Sequence, residues 1–176
     1  GTTTTGDQGT GGTVPTGLSS SADASGIYAA FGGSGVVTRD GATVVITSTN
    51  IPDHKSPYFA TTDSRYEAYN GTNTRWAINP NRIAEQRLVY RIPSVPALAA
   101  TVTATPLGAI GVTVNGVAIF NQYAGPNQPL TNEINSFDQY NGHPQQTGQY
   151  HYHLEPYWLT DKNGAAGLIG VLLDGF

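Results

Sequence analysis

The sequence contains no cysteine and no methionine, and only 11% of its 176 residues are charged. The absence of cysteine excludes a disulfide framework and leaves no thiolate to ligate a metal. No basic run accompanies the net charge of −4, so nucleic-acid binding through phosphate contacts is not expected. No apolar run approaches the roughly 20 residues that a membrane-spanning helix needs.

Glycine, threonine and tyrosine take the place of the missing charges, with 22 glycines and 10 tyrosines in the chain. Threonine and tyrosine favour β-strands, and glycine favours tight turns. Two dipeptides, Asp40-Gly41 and Asn115-Gly116, separate runs rich in β-branched residues. Asp-Gly and Asn-Gly are strong short-range signals for a β-hairpin, so both positions predict one.

Further strands are expected at 85–92 and 101–105, and a buried central strand at 168–173, where the sequence is continuously apolar. No segment shows a helical period over ten or more residues, although one helical turn is expected near Glu133. Eight to ten short strands in a chain of this length predict a single-domain, all-β sandwich or barrel-like sheet with long loops and little helix.

Residues 1–26 are almost entirely glycine, threonine and serine, and we treat them as an N-terminal arm preceding a β domain at 27–176. The composition favours a flexible leader. An alternative is an extended arm that becomes ordered against a neighbouring subunit by adding to the edge of a sheet.

Three of the four histidines lie within eleven residues, at His143, His151 and His153. The last two belong to a Tyr-His-Tyr-His run that predicts a strand, and alternation places both imidazoles on one face and both tyrosines on the other. Two imidazoles on one face suit a metal ion, although a hydrogen-bonded pair on a sheet edge is an equal alternative. The turn before the strand brings His143 close, either as a ligand or as an orienting residue. Spacing alone cannot place His54.

Three carboxylates are candidates for supporting an imidazole, ligating a metal or acting as a general base: Glu133, Asp138 and Asp174. Asp174 precedes a glycine, so turn formation is an alternative for it. The chain contains no nucleophile elbow and no phosphate-binding glycine loop of the strand-to-helix kind.

The chain resembles the YHYH domain family, which takes its name from the motif at Tyr150-His151-Tyr152-His153. The similarity extends from about residue 43 to the end. Its other segments are Asn50-Ile51-Pro52-Asp53-His54, Asn79-Pro80-Asn81-Arg82-Ile83, Tyr90-Arg91-Ile92-Pro93, Asn115-Gly116-Val117, Asn141-Gly142-His143-Pro144 and Leu173-Asp174-Gly175-Phe176.

The resemblance implies a secreted or periplasmic domain without an established activity, and it makes all four histidines family positions. In this family a cysteine often precedes the Asn-Gly-His turn, and another follows the histidine strand. Tyr140 and Trp158 occupy those places here. If the two cysteines form one disulfide in relatives, we expect the Tyr140 and Trp158 rings to lie close together instead.

Three functions follow as hypotheses. The first is an extracytoplasmic domain that binds a copper or zinc ion through His54, His143, His151 and His153. The second is a structural subunit of an extracellular filament or surface assembly, with homo-oligomers formed through the arm or an open sheet edge. The third is a metal-dependent enzyme with Glu133 or Asp174 as base, and the sequence does not decide whether there is catalysis.

Overall fold

The computed structural model of the protein describes residues 26–176, so the arm expected at 1–26 lies outside the described residues except for Gly26. In this part of the chain, strands predominate and helix is sparse. The strands are β1 (Gly35–Asp40), β2 (Thr43–Ser48), β3 (Leu88–Pro93), β4 (Ala109–Thr113), β5 (Ala118–Phe120), β6 (Tyr123–Ala124), β7 (Gln128–Pro129), β8 (Gly142–Pro144), β9 (Tyr150–Tyr152) and β10 (Gly170–Leu172). The helix α1 spans Tyr157–Asn163, and short 3-10 helices span Gly26–Ala30 and Glu133–Ser136.

The strands form two principal open sheets and one small hairpin. The first sheet has the order β1-β2-β3, the second has the order β10-β4-β5-β9-β8, and β6 pairs with β7. Neither principal sheet closes on itself, so the expected all-β class is confirmed without a barrel. The pairing of β5 with β9 is parallel, whereas the other neighbouring strands are antiparallel.

The two predicted hairpins are confirmed. Asp40 pairs with Thr43 across the first turn, where Gly41 has a φ of 59°. The second hairpin joins β4 to β5, and its Gly116 has a φ of 84°. A positive φ at these turns gives the strands their required twist, which is why glycine stands at both positions.

One hydrophobic core lies between the two principal sheets. Val44, Ile46 and Ile92 of the first sheet belong to the same buried cluster as Val112 and Val171 of the second. All five side chains are at most 2% exposed. The five-stranded sheet that carries the histidines is therefore fixed to the rest of the domain by burial of apolar surface.

Two expectations about the elements are wrong, and one short helix was not predicted. Residues 101–105 form no strand and are exposed, because neither sheet extends to pair with them. The run at 168–173 supplies β10 at a sheet edge rather than a buried central strand, and only Val171 within β10 is buried. The seven-residue helix α1 was not predicted, since two turns are too short for a clear helical period.

Within residues 26–176, no helix has both the length and the apolar character needed to cross a bilayer.

Candidate metal centre

The β8–β9 hairpin places two histidines directly opposite each other. His143 on β8 pairs with His151 on β9 in the antiparallel register. The loop between the strands closes through a hydrogen bond from the Gln145 N–H to the Gln149 carbonyl, 3.0 Å long. Gly148 in that loop has a φ of 81°, which glycine adopts without strain. The expected doubling back of the chain at this turn is confirmed.

Three imidazole nitrogens converge at this hairpin. The Nε2 atom of His151 lies 3.1 Å from the Nε2 atom of His143 and 3.1 Å from the Nε2 atom of His153. One ligand atom from each of the three residues lies within 4.8 Å of the others. The common face predicted for His151 and His153 is therefore observed, and the turn adds His143 to it.

The other ring nitrogens of His151, on β9, and His153, directly after β9, hydrogen-bond to backbone carbonyls. His151 Nδ1 lies 3.1 Å from the Gln149 oxygen, and His153 Nδ1 lies 2.6 Å from the Asn121 oxygen. A carbonyl only accepts, so Nδ1 must carry the hydrogen in both rings. In a neutral ring this leaves a lone pair on Nε2, the atom that points into the cluster.

His143 also carries its hydrogen on Nδ1, and in this ring the hydrogen-bond acceptor is the Ser136 hydroxyl. Its Nδ1 lies 2.7 Å from the Ser136 Oγ, and that hydroxyl donates its own hydrogen to the Glu133 carbonyl over 2.7 Å. Ser136 therefore accepts from His143 Nδ1–H, and the longer 3.4 Å contact of the Asn79 amide nitrogen with the same Nδ1 is not a hydrogen bond in this tautomer. All three Nε2 atoms then present lone pairs to one another.

Two phenylalanine rings pack against the three histidines, of which His143 and His151 are buried and His153 is partly buried. The Phe120 ring stacks on His151 with a centroid distance of 3.9 Å, and Phe137 lies 4.7 Å from His143 and 5.6 Å from His153. Burial lowers the pKa of all three imidazoles, to about 3 for His143, where nearby His153 acts in the same direction. The cluster is therefore neutral at physiological pH.

Glu133 approaches the cluster from the His143 side. Its Oε1 lies 3.4 Å from His143 Nε2, and its Oε2 is buried without a hydrogen-bond partner among the described residues. Burial raises the pKa of this carboxyl. Of the three candidate carboxylates, Glu133 is the one that contacts a clustered imidazole in the described structure.

The structure does not bring His54 into this cluster. Its Nδ1 donates to the Lys55 carbonyl at 2.9 Å, so its Nε2 accepts from the Tyr152 hydroxyl at 2.9 Å. Tyr152 projects from the face of β9 opposite to His151. His54 is therefore a buried partner of the tyrosine face, and burial lowers its pKa.

Asp138 organises the same tyrosine face. The carboxylate is buried and accepts hydrogen bonds from the Ser56 and Tyr150 hydroxyls at 2.6 and 2.8 Å. The Tyr140 and Gly142 N–H groups donate to its other oxygen. Burial raises the Asp138 pKa, and the nearby His54 and the hydroxyl donors oppose that rise. Asp138 thus fixes the turn that leads into β8, and within residues 26–176 it belongs to no group of residues that could hold a metal ion.

The other residues singled out in the sequence lie outside the three-histidine cluster or support it from its edge. The Tyr140 and Trp158 rings lie 5.4 Å apart in an edge-on arrangement, so their expected proximity is confirmed. Asp174 is exposed and accepts from the Phe176 N–H at 3.3 Å, which is the turn role considered for it. Ser136 and Phe137 were not identified from the sequence, and only their position six to seven residues before His143 could have suggested them.

The model of a family described as YHYH protein matches residues 89–176, half of the chain. The matched segment includes His143, His151 and His153, and begins after His54. No curated protein and no solved structure matches the chain significantly.

Proposed function

The chain belongs to the YHYH family, and from this premise we propose that it is a metal-binding domain that holds one copper or zinc ion. The ligands are the Nε2 atoms of His143, His151 and His153. The observation that carries the proposal is the contact between these nitrogens. Two of the contacts are 3.1 Å long, and the Nδ1 hydrogen bonds leave no hydrogen between the nitrogens.

Facing lone pairs repel each other unless a cation lies between them. A proton is a poor candidate, because burial lowers the pKa of all three rings, to about 3 for His143. A divalent metal needs neutral imidazoles and therefore matches their protonation state. The Nδ1 contacts to carbonyl groups add the outer support that usually orients histidine ligands.

The spacing of the nitrogens agrees with a metal of this kind. Metal–nitrogen bonds of about 2.0–2.1 Å put neighbouring ligands about 3.3 Å apart around a tetrahedral centre and about 2.9 Å apart around a square-planar one. The contacts of 3.1 Å lie between these values. Nitrogen donors without thiolate favour copper(II) or zinc(II) over calcium.

His54 takes no part in this proposed ligand set, because its Nε2 is occupied by the Tyr152 hydroxyl. We assign it instead a structural role on the tyrosine face of β9, through its hydrogen bond with Tyr152. The family membership further supports an extracytoplasmic location, which remains part of the proposal.

Metal titration of purified protein tests the proposal. The wild type is expected to bind one copper(II) or zinc(II) per chain, and the double variant His151→Ala/His153→Ala is expected to lose that binding. His54→Gln serves as the matched control, since it changes a buried histidine outside the cluster. Unchanged metal content in the double variant rejects the proposed site.

A second candidate function is a subunit of an extracellular assembly. It is favoured by an apolar segment between β3 and β4 in which Val95, Leu98 and Val102 are 81%, 88% and 94% exposed. Exposed apolar groups at this density often mark contact surfaces. Sedimentation at rising protein concentration is expected to show association that the variant Val95→Ser/Leu98→Ser/Val102→Ser lacks. A wild type that stays monomeric throughout argues against this function.

A further inference from the structure

A cavity of about 490 Å³ is lined on one side by Glu133, the residue whose carboxylate contacts His143; none of the three clustered histidines lines it. It lies between the β6–β7 hairpin and residues 131–133, and it is open to solvent. The two clustered imidazoles of the hairpin, His143 and His151, are only 3% and 2% exposed. His153 is only partly buried, so a ligand from solution can reach the cluster beside His153 as well as through the cavity beside Glu133.

Glu133 lies between the cavity and the cluster. The residue lines the cavity, while its Oε1 is 3.4 Å from His143 Nε2. Its Oε2 is buried and receives no hydrogen bond from the described residues. A carboxylate with one oxygen that receives no hydrogen bond, and with the other oxygen facing an imidazole lone pair, is placed to bind a cation and is weakly restrained by the protein.

The charge of the site determines which kind of ligand can replace the Glu133 carboxylate on the metal. Three neutral imidazoles leave a divalent ion with its full charge, and Glu133 neutralises half of it. Among the described residues that line the cavity, Glu133 is the only one with an ionisable side chain, and Gln128, Thr131 and Asn132 provide neutral amide and hydroxyl groups. A small anion entering the cavity meets no other negative charge and is attracted to the metal.

We propose that Glu133 is a displaceable fourth ligand and that the cavity delivers a small anion to the coordination position it vacates. This inference rests on the proposed metal-binding function. Its chemical consequence is an open position on the metal, the feature that distinguishes reactive metal sites from closed structural ones.

The test uses copper(II)-loaded protein, with azide as the probe anion at one fixed pH. Azide binding is followed by its charge-transfer absorption in the wild type, Glu133→Gln, Glu133→Asp and Glu85→Gln. Glu85 is an exposed carboxylate and gives a matched control. Because a neutral amide competes less well for the metal, Glu133→Gln is expected to bind azide about tenfold more tightly than the wild type.

The outcomes separate the two proposals. Glu133→Asp, with a shorter carboxylate, is expected to give an intermediate affinity, and Glu85→Gln the wild-type value. Equal azide affinity in the wild type and Glu133→Gln, or no azide binding by either, overturns the assignment of a displaceable ligand. Loss of copper from a folded Glu133→Gln protein also overturns it, since Glu133 would then be indispensable. A wild type that binds no copper rejects the metal-binding function itself.

Discussion

Asn50 joins three strands of the domain beneath the histidine cluster, and its removal gives a quantitative test of the fold. The residue is fully buried, with a φ of 58°, two residues after the end of β2. Its side chain donates to the Tyr150 carbonyl over 2.6 Å and accepts from the Ala118 N–H over 2.9 Å. Asn50 thereby connects β9, which carries His151, to β5 and to the first sheet.

The loss of stability expected when Asn50 is replaced follows from these contacts. Asn50→Ala leaves one buried carbonyl and one buried N–H without partners, at about 1–3 kcal/mol each. Alanine in the left-handed conformation adds about 1–2 kcal/mol. We therefore expect Asn50→Ala to lower the free energy of unfolding by about 3–8 kcal/mol, a large part of the about 5–15 kcal/mol that stabilises most domains. Asn50→Gly is expected to lose less stability than Asn50→Ala. Glycine tolerates the left-handed backbone conformation, although it also lacks the two side-chain hydrogen bonds.

Urea denaturation of the metal-free protein, followed by circular dichroism and tyrosine fluorescence, measures the change. Asn70→Ala is the control, because Asn70 is exposed and its amide makes only a 3.4 Å contact with Glu67. The control is expected to stay within about 0.5 kcal/mol of the wild type. A loss below about 1 kcal/mol for Asn50→Ala would refute the hydrogen-bond assignment.

Two further predictions concern the histidines and the tyrosine face. Burial lowers the pKa of His151 and His143, the latter to about 3, so the unfolded chain binds more protons than the folded one below the ordinary histidine pKa of about 6.5. The metal-free protein should therefore lose stability as the pH falls from about 6.5, by up to about 1.4 kcal/mol per pH unit for each imidazole. Urea titrations between pH 8 and pH 5 measure this, and constant stability would contradict it. Tyr152→Phe removes the donor to His54 Nε2 and is expected to cost about 1–3 kcal/mol by the same denaturation assay while metal affinity remains within about twofold. A large loss of metal affinity in a folded Tyr152→Phe protein would place the tyrosine face in the metal site.

The features that were predicted correctly are those that depend on residues adjacent in the chain. Asp40-Gly41 and Asn115-Gly116 mark their hairpins because a short turn whose glycine has a positive φ admits few alternatives. The alternation in the histidine run placed His151 and His153 on one face for the same reason: the side-chain period of a strand is independent of its neighbours.

The errors concern features that depend on distant partners. The apolar run at 168–173 predicts a strand correctly, but whether that strand lies at the centre or edge depends on which strands pair with it. Residues 101–105 favour a strand by composition, yet no neighbouring strand offers them hydrogen bonds. Both outcomes depend on the order of strands in the sheets.

The candidate site shows the same division. The turn at Gly148 is local, so the approach of His143 to His151 could be predicted. The position of His54 depends on a loop that meets β9 about 100 residues later in the sequence, on the tyrosine side rather than the histidine side. Spacing carries no information about which face such a loop contacts. Glu133 reaches His143 through a 3-10 helix whose direction the sequence does not encode locally.

The most direct test of the three-histidine site is the electron paramagnetic resonance spectrum of the copper(II)-loaded protein. Coordination by His143, His151 and His153 predicts hyperfine splitting from three equivalent or nearly equivalent nitrogen donors, reduced to two in His153→Ala. A copper spectrum with oxygen donors only, or one that His153→Ala leaves unchanged, would contradict convergence of the three Nε2 atoms on one metal ion.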